Sequence, residues 1–287
     1  MKRKPSFPLF FIGPALIYLL ALILFPLAFS LVVSFYRLDL AAGAVWEFVG
    51  SANYAALLDD DTFQISLLRT GLFVVSAVSL ELTAGLILAL LLNREIRGKR
   101  IFRVVFLFPV MIGSLVAGFI WRLLYHSNGP PSYFAFLVGV GQIAWLGSTT
   151  IAPVSIILTD VWQWTPFMML VLLAGLQTIP HETYEAAVVD GASRRQILRH
   201  ITIPMLVPVI VVAVLIRAID AFKIFDIIYI LTSGGPGTST YVVSLYAYLV
   251  GFKSLNVGYA AAMSYVLNFI VVGVSTIYIR TLRRKER

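Results

Sequence analysis

There is no cysteine in the chain, so it forms no disulfide, offers no thiol nucleophile and ligates no metal through sulfur. Histidine is nearly missing too. His126, His181 and His200 lie far apart, and a histidine-built metal cluster is not expected. Charge is also scarce. Only 13% of the 287 residues are charged, against about 25% in a soluble globular chain. Catalytic signatures are missing as well, with no G-x-S-x-G and no H-E-x-x-H. The phosphate-binding pattern G-x-x-x-x-G-K-[S/T] fails at Gly98-Lys99, because Arg100 follows and Asn93 stands where the first glycine belongs. Nothing supports an enzyme, and energy must come from a partner or from an ion gradient.

What the chain has is apolar surface. Hydrophobic residues make up 60% of it, above the about 45–50% usual in soluble domains. Six stretches reach the about 20 residues needed to cross a bilayer as helix: 8–35, 67–92, 104–124, 151–176, 205–231 and 257–279. The first follows Lys2, Arg3 and Lys4 but outruns the about 7–15 residues of a signal peptide's apolar core, so it is read as a retained anchor. The basic residues set the orientation. One side collects Lys2, Arg3 and Lys4, then Arg94, Arg97, Lys99, Arg100 and Arg103. It also collects Arg194, Arg195 and Arg199, and the tail Arg280, Arg283, Arg284, Lys285 and Arg287. The other side holds few basic residues and carries Asp59, Asp60 and Asp61. Six crossings with both termini cytoplasmic satisfy this pattern. The net charge of +8 is thereby explained as topology, and no nucleic-acid partner is expected without a basic soluble module.

The loops are small. The outer loop 36–66 is polar and acidic, with no domain-sized insertion. A short apolar piece, 133–146, reads as a helix lying on the outer surface. The cluster "TSGGPGTST" reads as a turn, and a further apolar piece, 241–252, is too short to span.

One polar stretch stands apart: "EAAVVDGASRRQILRHITIP", between spans four and five. Pro180 ends span four, and Glu182 and Glu185 suit the positive end of a helix dipole. Gly191 can take a positive φ and close that helix near Asp190. Ser193 with Gln196 is a capping-box pattern for a second short helix, expected to end near Ile201 because Pro204 follows. Ala186, Ala187, Val188 and Val189 give the first helix a small, smooth surface for a docking protein. On periodicity alone, a solvated connecting loop remains the simpler alternative.

The stretch resembles the EAA loop of inner-membrane permeases of ATP-driven importers, the ABC family served by a binding protein. The pattern falls on Glu185, Ala186, Ala187, Asp190, Gly191, Ala192, Ile197, Ile201, Ile203 and Pro204, with Ile203 replacing the usual leucine. The likeness continues through "LALLLNREIRGKRIFRVVFLFPVMI" and "FDIIYILTSGGPGTST", the latter similar to carbohydrate permeases at Phe225, Asp226, Thr232, Gly234, Gly235 and Pro236. The resemblance implies an all-α membrane protein with six transmembrane helices and the type I ABC importer permease fold. It would be a single transmembrane domain over 1–287, with a permease core of about 67–280 and a cytoplasmic coupling loop at 181–204. It also implies a multi-pass place in the cytoplasmic (inner) membrane and a coupling role for Glu185, Ala186, Ala187, Asp190, Gly191, Ile197 and Pro204. The implied partners are a second permease, making a heterodimer, two ATPase subunits that hold ATP and Mg, and an extracytoplasmic binding protein. No cofactor is expected in this chain.

Ionisable groups at bilayer depth cost roughly 2.5–3.5 kcal/mol on insertion scales and mark a pathway by default. Span five carries Arg217, Asp220, Lys223 and Asp226, alternating in sign at a three-residue step, so that neighbours can pair along the helix. That step drifts about 60° each time, so the four cannot face one cavity. Arg217 and Asp220, with Ile224 beside them, are expected to line the solute pathway. For Lys223 and Asp226, mutual neutralisation is an equal alternative. In span four, Asp160, Gln163, Trp164 and Phe167 supply the aromatic faces and hydrogen-bonding groups that suit a sugar, although membrane tryptophans are often interfacial anchors. Glu81 and Asn268 are candidates either for the pathway or for interhelical hydrogen bonds. The expected solute is a neutral oligosaccharide or polyol. Arg217 and Lys223 leave a phosphorylated polyol open. The rival reading is a secondary transporter driven by protons or sodium.

Overall fold

The computed structural model describes residues 7–40, 43, 45–94 and 97–283. Lys2, Arg3, Lys4, Arg284, Lys285 and Arg287, which helped set the expected orientation, lie outside the described residues. Helix α1 (Phe7–Val33) leads into an antiparallel hairpin of β1 (Tyr36–Asp39) and β2 (Val45–Phe48). Then come α2 (Ala52–Ala56), α3 (Asp61–Asn93), α4 (Lys99–Leu107), a 3-10 turn at Pro109–Met111, α5 (Ser114–Leu124) and α6 (Pro130–Leu137). The second half has α7 (Ile151–Gln177), α8 (His181–Val189), α9 (Arg194–Ile197), a π turn at Leu198–Thr202 and α10 (Ile203–Ala221). It closes with α11 (Asp226–Leu231), α12 (Val243–Tyr248), a second π turn at Leu249–Lys253 and α13 (Val257–Arg283). Among the described residues, five helices are long and apolar enough to cross a membrane, or six if one bent pair counts as a single span.

The chain divides into two compact units, 1–65 with 246–270, and 66–245 with 271–287. In the first, α1 exposes Ile17, Tyr18 and Phe25, as a span hydrophobic on all sides does. The hairpin aligns Tyr36 with Phe48 and Asp39 with Val45, giving structure to the loop expected on the outer side, which composition showed only as polar and acidic. Asp60 ties three segments. Its Oδ1 accepts the Phe63 N–H at 2.9 Å, and its Oδ2 accepts the hydroxyls of Tyr246 at 2.9 Å and Tyr259 at 2.8 Å. That cap lets α3 start at Asp61 rather than at 67.

In the second unit, α3, α7 and α10 enclose a core of Ala89, Leu92, Met169, Leu172, Leu173, Leu176, Ile179 and Leu206. The helices approach closely at glycines, as helices in lipid do. A Cβ at Gly85 would stand 2.6 Å from Met168 Cβ, and one at Gly175 would stand 2.8 Å from a Leu206 methyl.

The outline of the spans needs four corrections. Span three is not one helix from 104 to 124: α4 and α5 meet at 99°. Pro109 lacks an N–H and Ile112 is extended (φ −89°, ψ 130°), so the helix cannot run through. Span five is not one helix to 231, because α10 stops at Ala221 and the backbone turns through Phe225 (φ −141°, ψ −57°) before α11. The second helix of the polar stretch does not end near Ile201. It passes through the π turn into α10, and this wider turn clears the Pro204 ring from the carbonyl behind it. The outer helix expected over 133–146 spans only α6: Pro130 starts it, and Gly139 and Gly141, both at positive φ, follow its end.

Candidate functional site

Two groupings carry the predicted functional residues. The first is the polar stretch. Helix α8 closes with a Schellman motif: Ala192 N donates to Ala187 O at 2.9 Å, and Gly191 N to Val188 O at 3.0 Å, with Gly191 at φ +75°. The Ser193 capping box is present. Gln196 N donates to Ser193 Oγ at 3.4 Å, and Ser193 N donates to Gln196 Oε1 at 2.7 Å. Glu185, Ala186, Asp190, Gly191 and Pro204 are exposed, while Ala187 is buried and Ile197 half-buried. Val188 and Val189 at the tip are also exposed, which puts apolar surface beside two carboxylates. Inside, the Thr202 hydroxyl meets the Tyr184 hydroxyl at 3.4 Å, linking α8 to the start of α10.

The second grouping centres on Arg217. Its Nη2 donates to Glu81 Oε1 at 3.0 Å and also to Asp160 Oδ2, so one nitrogen bridges α3 and α7. Its Nε lies 2.8 Å from Glu81 Oε2, although the N–H is not aimed at that oxygen. Its Nη1 reaches Asp220 Oδ2 at 3.3 Å. The Trp164 ring lies against the guanidinium, 4.9 Å from its centroid. Arg217, Glu81 and Asp160 are almost fully buried, whereas the Asp220 side chain is 49% exposed. Three carboxylates thus surround one cation. A further ion pair, Arg37–Glu47, is exposed.

The structure separates the residues expected to line a pathway. Asp220 is exposed, and Trp164 and Phe167 are half-buried and pack edge-on at 6.3 Å. Arg217, Asp160, Gln163 and Ile224 are buried. Gln163 has a structural partner that the sequence did not reveal. Its Nε2 donates to Ile112 O at 2.9 Å and contacts Ser114 Oγ at 3.3 Å, filling the break between α4 and α5. Of the alternating charges in span five, only Arg217 and Asp220 pair, because the turn at 222–225 separates Lys223 and Asp226 from the helix that carries them. Glu81, an acid with no basic residue near it on its own helix, is the natural partner for Arg217, and that isolation was the signal for it. A cavity of about 710 Å³ lies elsewhere, lined by Arg69, Phe73, Thr150, Ile156, Thr238 and Tyr241 among others. Among the described residues no group of histidine, aspartate and glutamate could hold a metal ion.

Residues 81–284 match the family described as "Binding-protein-dependent transport system inner membrane component". The chain is 37% identical over 283 residues to the trehalose/maltose transport system permease protein MalF of Thermococcus litoralis, covering 98% of this chain and 95% of that one. It is 37% identical over 276 residues to the sulfoquinovosyl glycerol transport system permease protein of Agrobacterium fabrum, covering 96% and 90%. Among solved structures, a bacterial ABC transporter involved in import of the acidic polysaccharide alginate superimposes with a TM-score of 0.85. It is 21% identical, over 97% of this chain and 96% of that one.

Proposed function

The chain belongs to the family of binding-protein-dependent transport system inner membrane components, and from that premise we propose that it is one permease subunit of an ATP-driven sugar importer. The observation that carries the reading is the exposed face of α8. A short helix, stopped by a positive-φ glycine, presents Glu185, Ala186, Val188, Val189 and Asp190 outward. This is a compact surface for a soluble partner, with two carboxylates to meet basic residues and an apolar tip to bury. The partner proposed here is an ATPase subunit, which binds ATP and Mg. Glu185 pairs with one of its basic residues, and Ala186, Ala187, Asp190, Gly191, Ile197 and Pro204 shape the docking surface. Two ATPase copies, a second permease and an extracytoplasmic binding protein complete the proposed assembly.

The sugar assignment rests on relatives that carry trehalose, maltose and sulfoquinovosyl glycerol, and on side chains at bilayer depth. Trp164, Phe167 and Asp220 supply aromatic faces and a hydrogen-bonding carboxylate on accessible surface. An exposed carboxylate at that depth needs a watery cavity or another protein beside it. Arg217, Asp160 and Gln163 support these residues from behind, and Ile224 closes the turn after α10. The proposed solute is an uncharged sugar or polyol, because the guanidinium that would greet a phosphate is already bound by carboxylates. Uptake in cells tests the reading. Transport should survive a protonophore and stop when ATP is depleted. Glu185→Arg should abolish it while leaving the chain inserted in the membrane. Normal uptake by that variant would remove α8 from the mechanism.

A further inference from the structure

Resting on the proposed function, we infer that the Glu81–Asp160–Arg217 cluster is a transmission joint, the point where motion of α8 is handed to α3 and α7. Residues Arg194–Ala221 form one helical rod of 28 residues, since α9 runs through the π turn into α10 without a break. At 1.5 Å per residue the rod is about 40 Å long. Near its start it is fastened to α8 by the Thr202 and Tyr184 hydroxyls, and Tyr184 packs against the core that α3, α7 and α10 enclose. Its far end stops at Ala221, about one turn beyond Arg217. A displacement of α8 is therefore carried along one continuous helical span to Arg217. There a single nitrogen holds a carboxylate of α3 and a carboxylate of α7, both buried.

Apolar packing would let helices slide. A guanidinium nitrogen hydrogen-bonded to two buried carboxylates does not, because charge and hydrogen-bond geometry specify its position. The cluster lies away from α8 and its ions are shut off from solvent. It thus joins three helices without belonging to the docking surface or to the accessible sugar-binding face. Arg217 is a positioning residue in this role, acting through the helices it connects.

The absence of cysteine makes the test direct. Nitroxide labels at Leu80→Cys on α3 and Val212→Cys on α10, both exposed positions, report the α3–α10 distance by pulsed electron spin resonance in the complex with its ATPase. In the otherwise unaltered chain that distance should stay constant when ATP is added, since the helices move together. In Glu81→Gln/Asp160→Asn/Arg217→Met, which removes all three charges at similar volume, ATP should shift the distance by about 3 Å or broaden it markedly. Arg217→Lys, which keeps the charge but loses the planar guanidinium that lies against Trp164 and also reaches Asp220, should broaden it less. A distance that changes with ATP in the unaltered cluster overturns the inference. So does one that stays narrow and constant in either variant. A chain that assembles with no ATPase overturns the proposed function and this inference with it, which separates the two failures.

Discussion

At the residue scale, the buried ions decide most. Desolvating a charge costs several kcal/mol, and only well-formed pairing offsets it. Arg217→Met alone would leave the Glu81 and Asp160 carboxylates facing each other without their cation. A loss of about 3–5 kcal/mol is expected, the usual penalty for removing one partner of a buried pair. It would be seen as a lower melting temperature in detergent or as failure to accumulate. Neutralising all three together should cost much less. Gln163 makes a second residue-scale case. Gln163→Leu fills the same space but leaves Ile112 O without its donor, for which about 1–3 kcal/mol is expected. Faster hydrogen exchange should be confined to the Pro109–Ser114 break, and unchanged exchange there would show that the amide is dispensable. Sequence pattern identified Arg217, Asp160 and Gln163 as notable because polar groups are rare in such spans. It did not assign their partners, which lie 136, 57 and 51 residues away along the chain.

At the scale of elements, the polar stretch was the most legible part. Capping depends on neighbours within a few residues, and both the Ser193 box and the Gly191 stop stand where local chemistry puts them. Gly191→Ala would force a Cβ into the left-handed region at about 1–2 kcal/mol. Among the described residues no atom lies within 4 Å of where that Cβ would go, so the cost is conformational. The expected result is weaker capture of the proposed ATPase partner in a pull-down with little change in membrane insertion. The interruptions of spans three and five were less legible. Pro109 marks the first, but composition runs evenly across it. At Phe222–Phe225 neither glycine nor proline is present, and the turn is held from elsewhere by a Ser244 Oγ bond to Ile224 O. Helix α9 failed to stop before Pro204 because a π turn absorbed the ring, an adjustment that proline rules alone do not anticipate.

At the scale of the whole molecule, the distribution of basic residues predicts that both termini and the Glu185–Pro204 stretch share one side of the membrane. Fluorescent or phosphatase reporters fused at each terminus should both report the cytoplasm, and a split result would break the six-crossing scheme. What the sequence by itself determined is whatever depends on composition and near neighbours: membrane residence, the approximate place of the crossings, the expected orientation, the Gly191 stop of α8 and the Ser193 cap of α9. Transfer from water to lipid is summed residue by residue, and caps are closed within a turn, so both can be read along the chain. Tertiary structure alone decided which helices Arg217 joins, why Gln163 is buried, where two spans break, and that only part of the polar set is accessible. Those outcomes follow from desolvation and pairing between groups far apart in sequence, and a charge's partner is defined only once the helices are packed.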